Sequence, residues 1–371
     1  MKSLGAQLDS YENFGPGFNF IRIFLAYGVL VWHTVAVARN GAAQALQSSF
    51  WPLILAILPM FFALSGFLVA GSALRLPLRE YILNRSFRIM PALWVDIVFC
   101  ALFLGPIFTS FSLAAYFSGR EFFEYFLNFT GLIHYALPGT FLNNPYAGVV
   151  NGALWTVPYE IACYILMSAM IWTGMIRDWK YVLATAIAIV LFASLLYAFP
   201  PLLANRTLPE RILALLFLSK GAALIPAFLA GAVLYLMRYR IAYSGLAAGV
   251  VVIGLCGLGL FGSPSYYSNP IFTEVAAFPL AYLVVWIGLT PIPIPAVLER
   301  GDYSYGIYLY HFPILQALQA VFGFTQWWLL AAVAWLPVIL FAAFSWHFVE
   351  KPVLKMRKRF SLVGSRLAVG E

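Results

Sequence analysis

Ten stretches of the chain stay apolar over lengths close to the roughly 20 residues that carry an α-helix across a bilayer. They are residues 18–38, 50–71, 90–109, 152–174, 181–199, 216–237, 244–262, 270–289, 303–323 and 327–348. The segments between them collect the charged and turn-forming residues. This alternation predicts an all-α polytopic membrane protein with about ten transmembrane helices. The longest interruption, 110–151, is mixed in character: REFFEYFLNF at 120–129 is aromatic and partly charged, and Pro138, Gly139, Asn143, Asn144 and Pro145 follow. An interfacial helix leading into an irregular loop fits this mixture, because aromatic rings favour the headgroup level. The first apolar stretch holds Arg22 and His33 and has only Lys2 as a basic residue ahead of it, so it reads as a retained helix rather than a signal peptide. With no internal repeat and no Gly/Ser or Pro linker, residues 1–371 read as one membrane domain, of which 349–371 is a basic tail.

Composition sharpens this picture by exclusion. The chain is 63% hydrophobic and 10% charged, with a mean hydropathy of +0.88, too few charges to coat a water-soluble globule. The net charge of +8 does not point to nucleic acid, because its placement follows the spans. With the amino terminus in the cytoplasm, sixteen of the 22 basic residues fall on the cytoplasmic side, from Lys2, Arg75 and Arg79 to the tail cluster at Lys351–Arg359 and Arg366. Arg39, Arg120, Arg206, Arg211 and Lys220 fall on the other side, and the positive-inside rule then places both termini in the cytoplasm. Cys100, Cys163 and Cys256 are scattered through apolar stretches, which excludes a disulfide framework or metal cluster and leaves them as small core residues. Glycosylation sequons at Asn128 and Asn205 have meaning only in a eukaryotic secretory route.

Ionisable residues inside spans carry the chemical information, since a charge at the bilayer centre costs about 2.5–3.5 kcal/mol even on the lenient insertion scale. Arg22 and His33 are eleven positions apart, three helical turns or about 16 Å along one face. Either they serve chemistry, or Arg22 snorkels to the headgroups and His33 bonds a neighbouring carbonyl. Glu160 sits about 12 Å into its span, at a depth comparable with that of His33. The two either form a carboxylate–imidazole base or an ion pair that holds two helices. Ser65 and Gly66 interrupt an aromatic run and allow close helix packing or leave room for a ligand. Arg85 and Arg88 share a helix face, suited to clamping phosphate oxygens or to ordinary anchoring, the role that Arg75 and Arg79 fit. His311, with Tyr305, Tyr308 and Tyr310 around it, is a core histidine or part of a substrate passage. His134 and His347 lie near interfaces.

These fragments occur in an order that resembles the acyltransferase 3 family of integral membrane proteins. They are Arg22 with His33, FFALSGF at 61–67, RSFRIMP at 85–91, LWTVPYE at 154–160, YSYGIYLYHFP at 303–313 and EKP at 350–352. The resemblance runs from about residue 15 to 352. It implies a bacterial inner-membrane O-acyltransferase that moves an acyl group, acetyl by default, from cytoplasmic acyl-CoA to a hydroxyl of a surface glycan or its lipid-linked precursor. By the same correspondence Arg22 and His33 match the family's essential Arg/Lys and His pair, Arg85 and Arg88 its Arg-x-x-Arg, and Glu160 its acidic residue after Leu-Trp-Ser/Thr.

Residues and resemblance meet in one expected mechanism. Arg85 and Arg88 hold the phosphates of acetyl-CoA, the thin region at Ser65 and Gly66 admits its arm, His33 takes the acceptor proton, and Glu160 orients that imidazole. Tyr305, Tyr308 and His311 line the substrate passage. No metal and no nucleic acid enters the scheme, and direct transfer is favoured because no nucleophile-elbow motif is present. A secondary transporter or flippase for a lipid-linked sugar is the alternative, since ten spans and intramembrane charges suit it as well. A noncatalytic partner of an export complex leaves His33 and Glu160 without a purpose.

Overall fold

A computed structural model of the chain describes residues 2–13, 15–39, 41, 45–199, 207–218, 221, 223–293, 295, 298 and 301–360. The sequon residue Asn205, the basic residues Arg206, Lys220, Arg300 and Arg366, and the tail from residue 361 onward lie outside them. Among the described residues the fold is all helical, and every one of the ten apolar stretches contains a helix. They are α1 (Phe18–Arg39), α2 (Trp51–Arg75), α3 (Leu78–Phe99), α4 (Val157–Thr173), α5 (Trp179–Ala198), α6 (Leu224–Leu236), α7 (Gly245–Phe261), α8 (Pro270–Gly288), α9 (Ser304–Phe322) and α10 (Trp327–Phe344).

Length and hydropathy by themselves qualify seven of the described helical segments to cross a bilayer. The helices α6 and α7, at 13 and 17 residues, are shorter. The helix α9 has the length, at 19 residues, but carries His311, Gln316, Gln319 and three tyrosines. Cys100 and Cys163 are buried, whereas Cys256 on α7 is exposed. The expectation of three core cysteines is corrected there, because an apolar side chain on a membrane helix needs no burial within the protein.

The chain packs as two compact units. The first comprises Met1–Leu25, Ala45–Leu78 and Tyr159–Ile294; the second comprises Ala26–Gln44, Arg79–Pro158 and Pro295–Glu371. Lipid tails are as apolar as leucine, so packed helices gain from close backbone approach rather than from escaping water. In the first unit α2 and α6 show this directly. A Cβ placed on Gly66 would lie 1.8 Å from the carbonyl oxygen of Phe228, and one on Gly231 would lie 1.8 Å from that of Ala63. Each glycine therefore receives the backbone of the other helix. Gly231→Ala is expected to force the two helices apart and to destabilise the protein by about 1–3 kcal/mol, the usual range for overpacking; a lowered thermal midpoint in detergent checks it.

In the second unit α9 and α10 meet in the same way, with a Cβ on Gly306 falling 2.8 Å from Cα of Ala342. The segment expected as an interfacial helix, 120–129, is α-helical over Arg120–Tyr125 and tightens into a 3-10 turn at Phe126–Thr130, and a separate short helix, Leu113–Ser118, precedes it across Gly119. Its anchor is Tyr116. A π-helical turn at Cys100–Leu104 extends α3, and the Tyr116 hydroxyl donates to the Ala101 carbonyl at 2.7 Å. Gly105 makes room for that phenol, since a Cβ there would meet its oxygen at 1.8 Å. The irregular stretch that follows is tied to α9 by Gln316, whose Nε2 donates to the carbonyls of Tyr146 at 2.7 Å and Val149 at 2.6 Å.

Candidate active site

Two intramembrane histidines from distant parts of the sequence meet in the second unit. His33 Nδ1 lies 2.6 Å from His311 Nε2. The ring planes differ by 13° and the centroids are 4.9 Å apart, so the imidazoles meet nitrogen to nitrogen along a shared plane rather than face to face. His311 is fully buried, and its other nitrogen, Nδ1, lies 3.1 Å from the Ile307 carbonyl one turn earlier. His33 keeps part of its surface accessible and packs edge-on against the Phe312 ring, with centroids 5.1 Å apart.

The segment around His311 is held on every side, and the reason begins with Pro313. A proline inside α9 lacks the N–H that would bond the carbonyl four residues earlier, which is that of Leu309. Asn151 Nδ2 replaces it, donating to the Leu309 carbonyl at 3.0 Å and to Asp96 Oδ2 at 2.8 Å. Its Oδ1 accepts from Ala153 N at 2.9 Å, capping the 3-10 turn Gly152–Thr156. The Tyr308 hydroxyl joins that turn, 2.6 Å from Thr156 Oγ1 and donating to the Ala153 carbonyl at 3.1 Å. Gly152 faces Phe312, whose ring a Cβ would meet at 2.6 Å. Asp96, Asn151 and Thr156 thus belong to the site, although the sequence reading passed over them. A lone aspartate within an apolar span was the available signal. Glu274 in α8 carries the same signal; it is fully buried, and neither carboxyl oxygen has a hydrogen-bond partner among the described residues.

The expected phosphate clamp looks different in the structure. Arg88 Nη1 donates to Glu350 Oε2 at 2.7 Å, and its Nη2 donates to Asp302 Oδ2 at 2.8 Å. Asp302 also accepts from Ser304 at 2.7 Å. Glu350 accepts from Ser345 at 3.1 Å, and Ser345 accepts from the Tyr310 hydroxyl at 3.1 Å. A π-helical turn at Ser345–Glu350 presents both ends of that chain. Arg88 also lies over the Tyr305 ring, 5.4 Å from its centroid, and Tyr305 donates to the Ile89 carbonyl at 3.1 Å. Both terminal nitrogens of Arg88 therefore sit on carboxylates, and a phosphate would have to share or displace them. Arg85, one turn earlier on α3, is partly buried.

The remaining predicted residues belong to the first unit. Arg22 and Ser65 are each partly buried. Gly66 is buried against α6, so the space beside it holds backbone. Glu160 accepts from the Tyr164 hydroxyl at 2.8 Å, one turn along α4. Among the described residues no group of three His, Cys, Asp or Glu gathers as for a metal ion.

A family model described as an acyltransferase domain matches residues 16–348. The chain is 28% identical over 353 residues to nodulation protein 10 of Rhizobium leguminosarum bv. viciae, covering 84% of this chain and 84% of that protein. It is 27% identical over 349 residues to an O-acetyl transferase of Shigella phage Sf6, covering 91% of this chain and 95% of that protein. No solved structure matches the chain.

Proposed function

The chain belongs to the acyltransferase 3 family, and from that premise we propose that it is a bacterial inner-membrane O-acetyltransferase. Its donor is cytoplasmic acetyl-CoA, and its acceptor is a hydroxyl of a glycan or of its lipid-linked precursor. The observation that carries this reading is the bonded His33–His311 pair, an imidazole base built within a membrane domain. The Shigella phage relative's name, O-acetyl transferase, supports acetyl as the group moved, and the bias of basic residues supports cytoplasmic termini.

In this scheme His33 removes the acceptor hydroxyl proton while the oxygen attacks the thioester carbonyl carbon. The carbon–sulfur bond breaks with its electron pair on sulfur, and the proton passes from His33 to the CoA thiolate. The products are the ester and free CoA thiol. Arg85 holds the donor phosphates, Arg88 fixes the segment that presents it, and Gly66 lets α2 close on α6 beside Ser65. Arg22 and Glu160 have their part from the family correspondence alone.

Purified protein given radiolabelled acetyl-CoA and a lipid-linked glycan should form a labelled ester and release CoA thiol only when both are present. A flippase or transporter moves the sugar and consumes no thioester, so acceptor movement without thiol release would overturn the proposal. The donor site has its own expected result. Arg85→Ala removes charge-assisted phosphate contacts worth about 1.5–3 kcal/mol each, so acetyl-CoA affinity should fall at least about tenfold in protein that still folds, as measured by donor titration with thermal melting as the check on folding.

A further inference from the structure

We propose that His311 is the positioning residue for His33, fixing which nitrogen of the His33 ring bears hydrogen; this rests on the reading of His33 as the base. The bonds themselves determine the arrangement. A carbonyl oxygen only accepts, so the 3.1 Å contact with Ile307 places a hydrogen on His311 Nδ1. A neutral imidazole carries one N–H, and His311 Nε2 is then an acceptor. The 2.6 Å bond to it takes its hydrogen from His33 Nδ1. The remaining nitrogen of a neutral His33, Nε2, is left as a lone pair, the form a general base requires. The direction of the chain is set by the Ile307 backbone carbonyl, which cannot reverse it.

His311 is suited to this because its own surroundings leave it little freedom. Tyr308 is bonded to the Gly152–Thr156 turn, Leu309 to Asn151, and Tyr310 to Ser345, while Phe312 packs against Gly152 and His33. His311 itself is fully buried, whereas His33 retains accessible surface. The buried ring is therefore the support and the other ring the reagent. When His33 Nε2 receives the hydroxyl proton, the Nδ1–H bond to His311 strengthens and no second proton transfer is needed. The proton then leaves from the same Nε2 to the CoA thiolate. This gives His311 the orienting work that the sequence reading assigned to Glu160.

The test compares His311→Leu and His311→Gln in purified protein, measuring kcat, KM for acetyl-CoA and thermal midpoint. It adds 15N NMR of histidine-labelled wild type, with His33→Gln used to assign the signal. Loss of the acceptor in His311→Leu should lower kcat by about 10- to 10³-fold, part of the general-base contribution, with KM for acetyl-CoA within about twofold. His311→Gln, whose amide oxygen accepts from Nδ1–H, should recover at least about tenfold of that loss. The wild-type spectrum should show His33 protonated at Nδ1 and free at Nε2. A folded His311→Leu protein with more than half the wild-type kcat, or a wild-type His33 protonated at Nε2, would overturn the proposal. The NMR result stands even when a variant fails to fold. If His33→Gln remains active, the base reading itself fails; if His33→Gln is inactive and His311→Leu is normal, only the positioning role fails.

Discussion

Replacing His33 by glutamine is expected to lower acyl transfer by about 10² to 10⁴, the usual contribution of a positioned general base, or roughly 2.7–5.5 kcal/mol of transition-state free energy. The amide keeps approximate size and can still donate toward His311 Nε2, the partner seen at 2.6 Å. It has no titratable nitrogen to take up the acceptor proton. Acetyl-CoA affinity and thermal midpoint should therefore stay near wild type. A structural histidine gives the opposite pattern: activity largely retained per folded molecule, and a lower midpoint from a broken buried bond. Transfer rate, donor affinity and melting, measured together on one preparation, separate the two. A well-folded variant with more than about a tenth of wild-type activity is incompatible with general-base catalysis by His33.

The second large effect falls on Arg88. Its side chain is 18% exposed and its partner Glu350 1%, so truncation to alanine leaves Glu350 buried without its cation. Breaking such a pair typically costs about 3–5 kcal/mol, because the desolvated charge remains. Arg88→Ala should therefore be strongly destabilised, and Glu350→Gln less so, since the amide can still accept from Ser345. The double variant should lose less than the sum of the two, the signature of direct coupling. Denaturation midpoints of the four proteins test this. An Arg88→Ala protein of normal stability that has lost donor affinity would instead make Arg88 a phosphate ligand. Arg85→Ala is the counterpart, with its expected loss read in donor affinity.

The helices were legible because an apolar run of about 20 residues has few other uses, and each of the ten contains one. Helix limits were less so. The helix α3 starts at Leu78, ahead of the apolar run at 90, because its first turns are amphipathic and hold Glu80, Arg85 and Arg88. The helix expected over 120–129 keeps α geometry only to Tyr125 and continues as a 3-10 turn. His33 and His311 were each visible as costly intramembrane groups, yet their partnership was not. Depth counted from helix ends placed them toward opposite faces, since His33 is near the end of α1 and His311 near the start of α9. Asp96 could have been found by the rule that picked out Glu160. Its purpose could not, because it depends on a carbonyl that Pro313 leaves open and that a residue 158 positions away fills. The Arg88 bonds to Asp302 and Glu350 also span more than 200 positions, and a local Arg-x-x-Arg spacing says nothing about partners so remote.

The central claim is direct transfer driven by His33, and a single-turnover experiment addresses it. Enzyme in excess over acetyl-CoA carrying a labelled acetyl group is mixed with acceptor, and CoA thiol, labelled ester and protein-bound label are followed in time. The account predicts that thiol and ester appear at one rate, that no label resides on the protein, and that His33→Gln slows both products equally. Thiol released ahead of ester with label held on the protein, or a His33→Gln time course matching wild type, would contradict it.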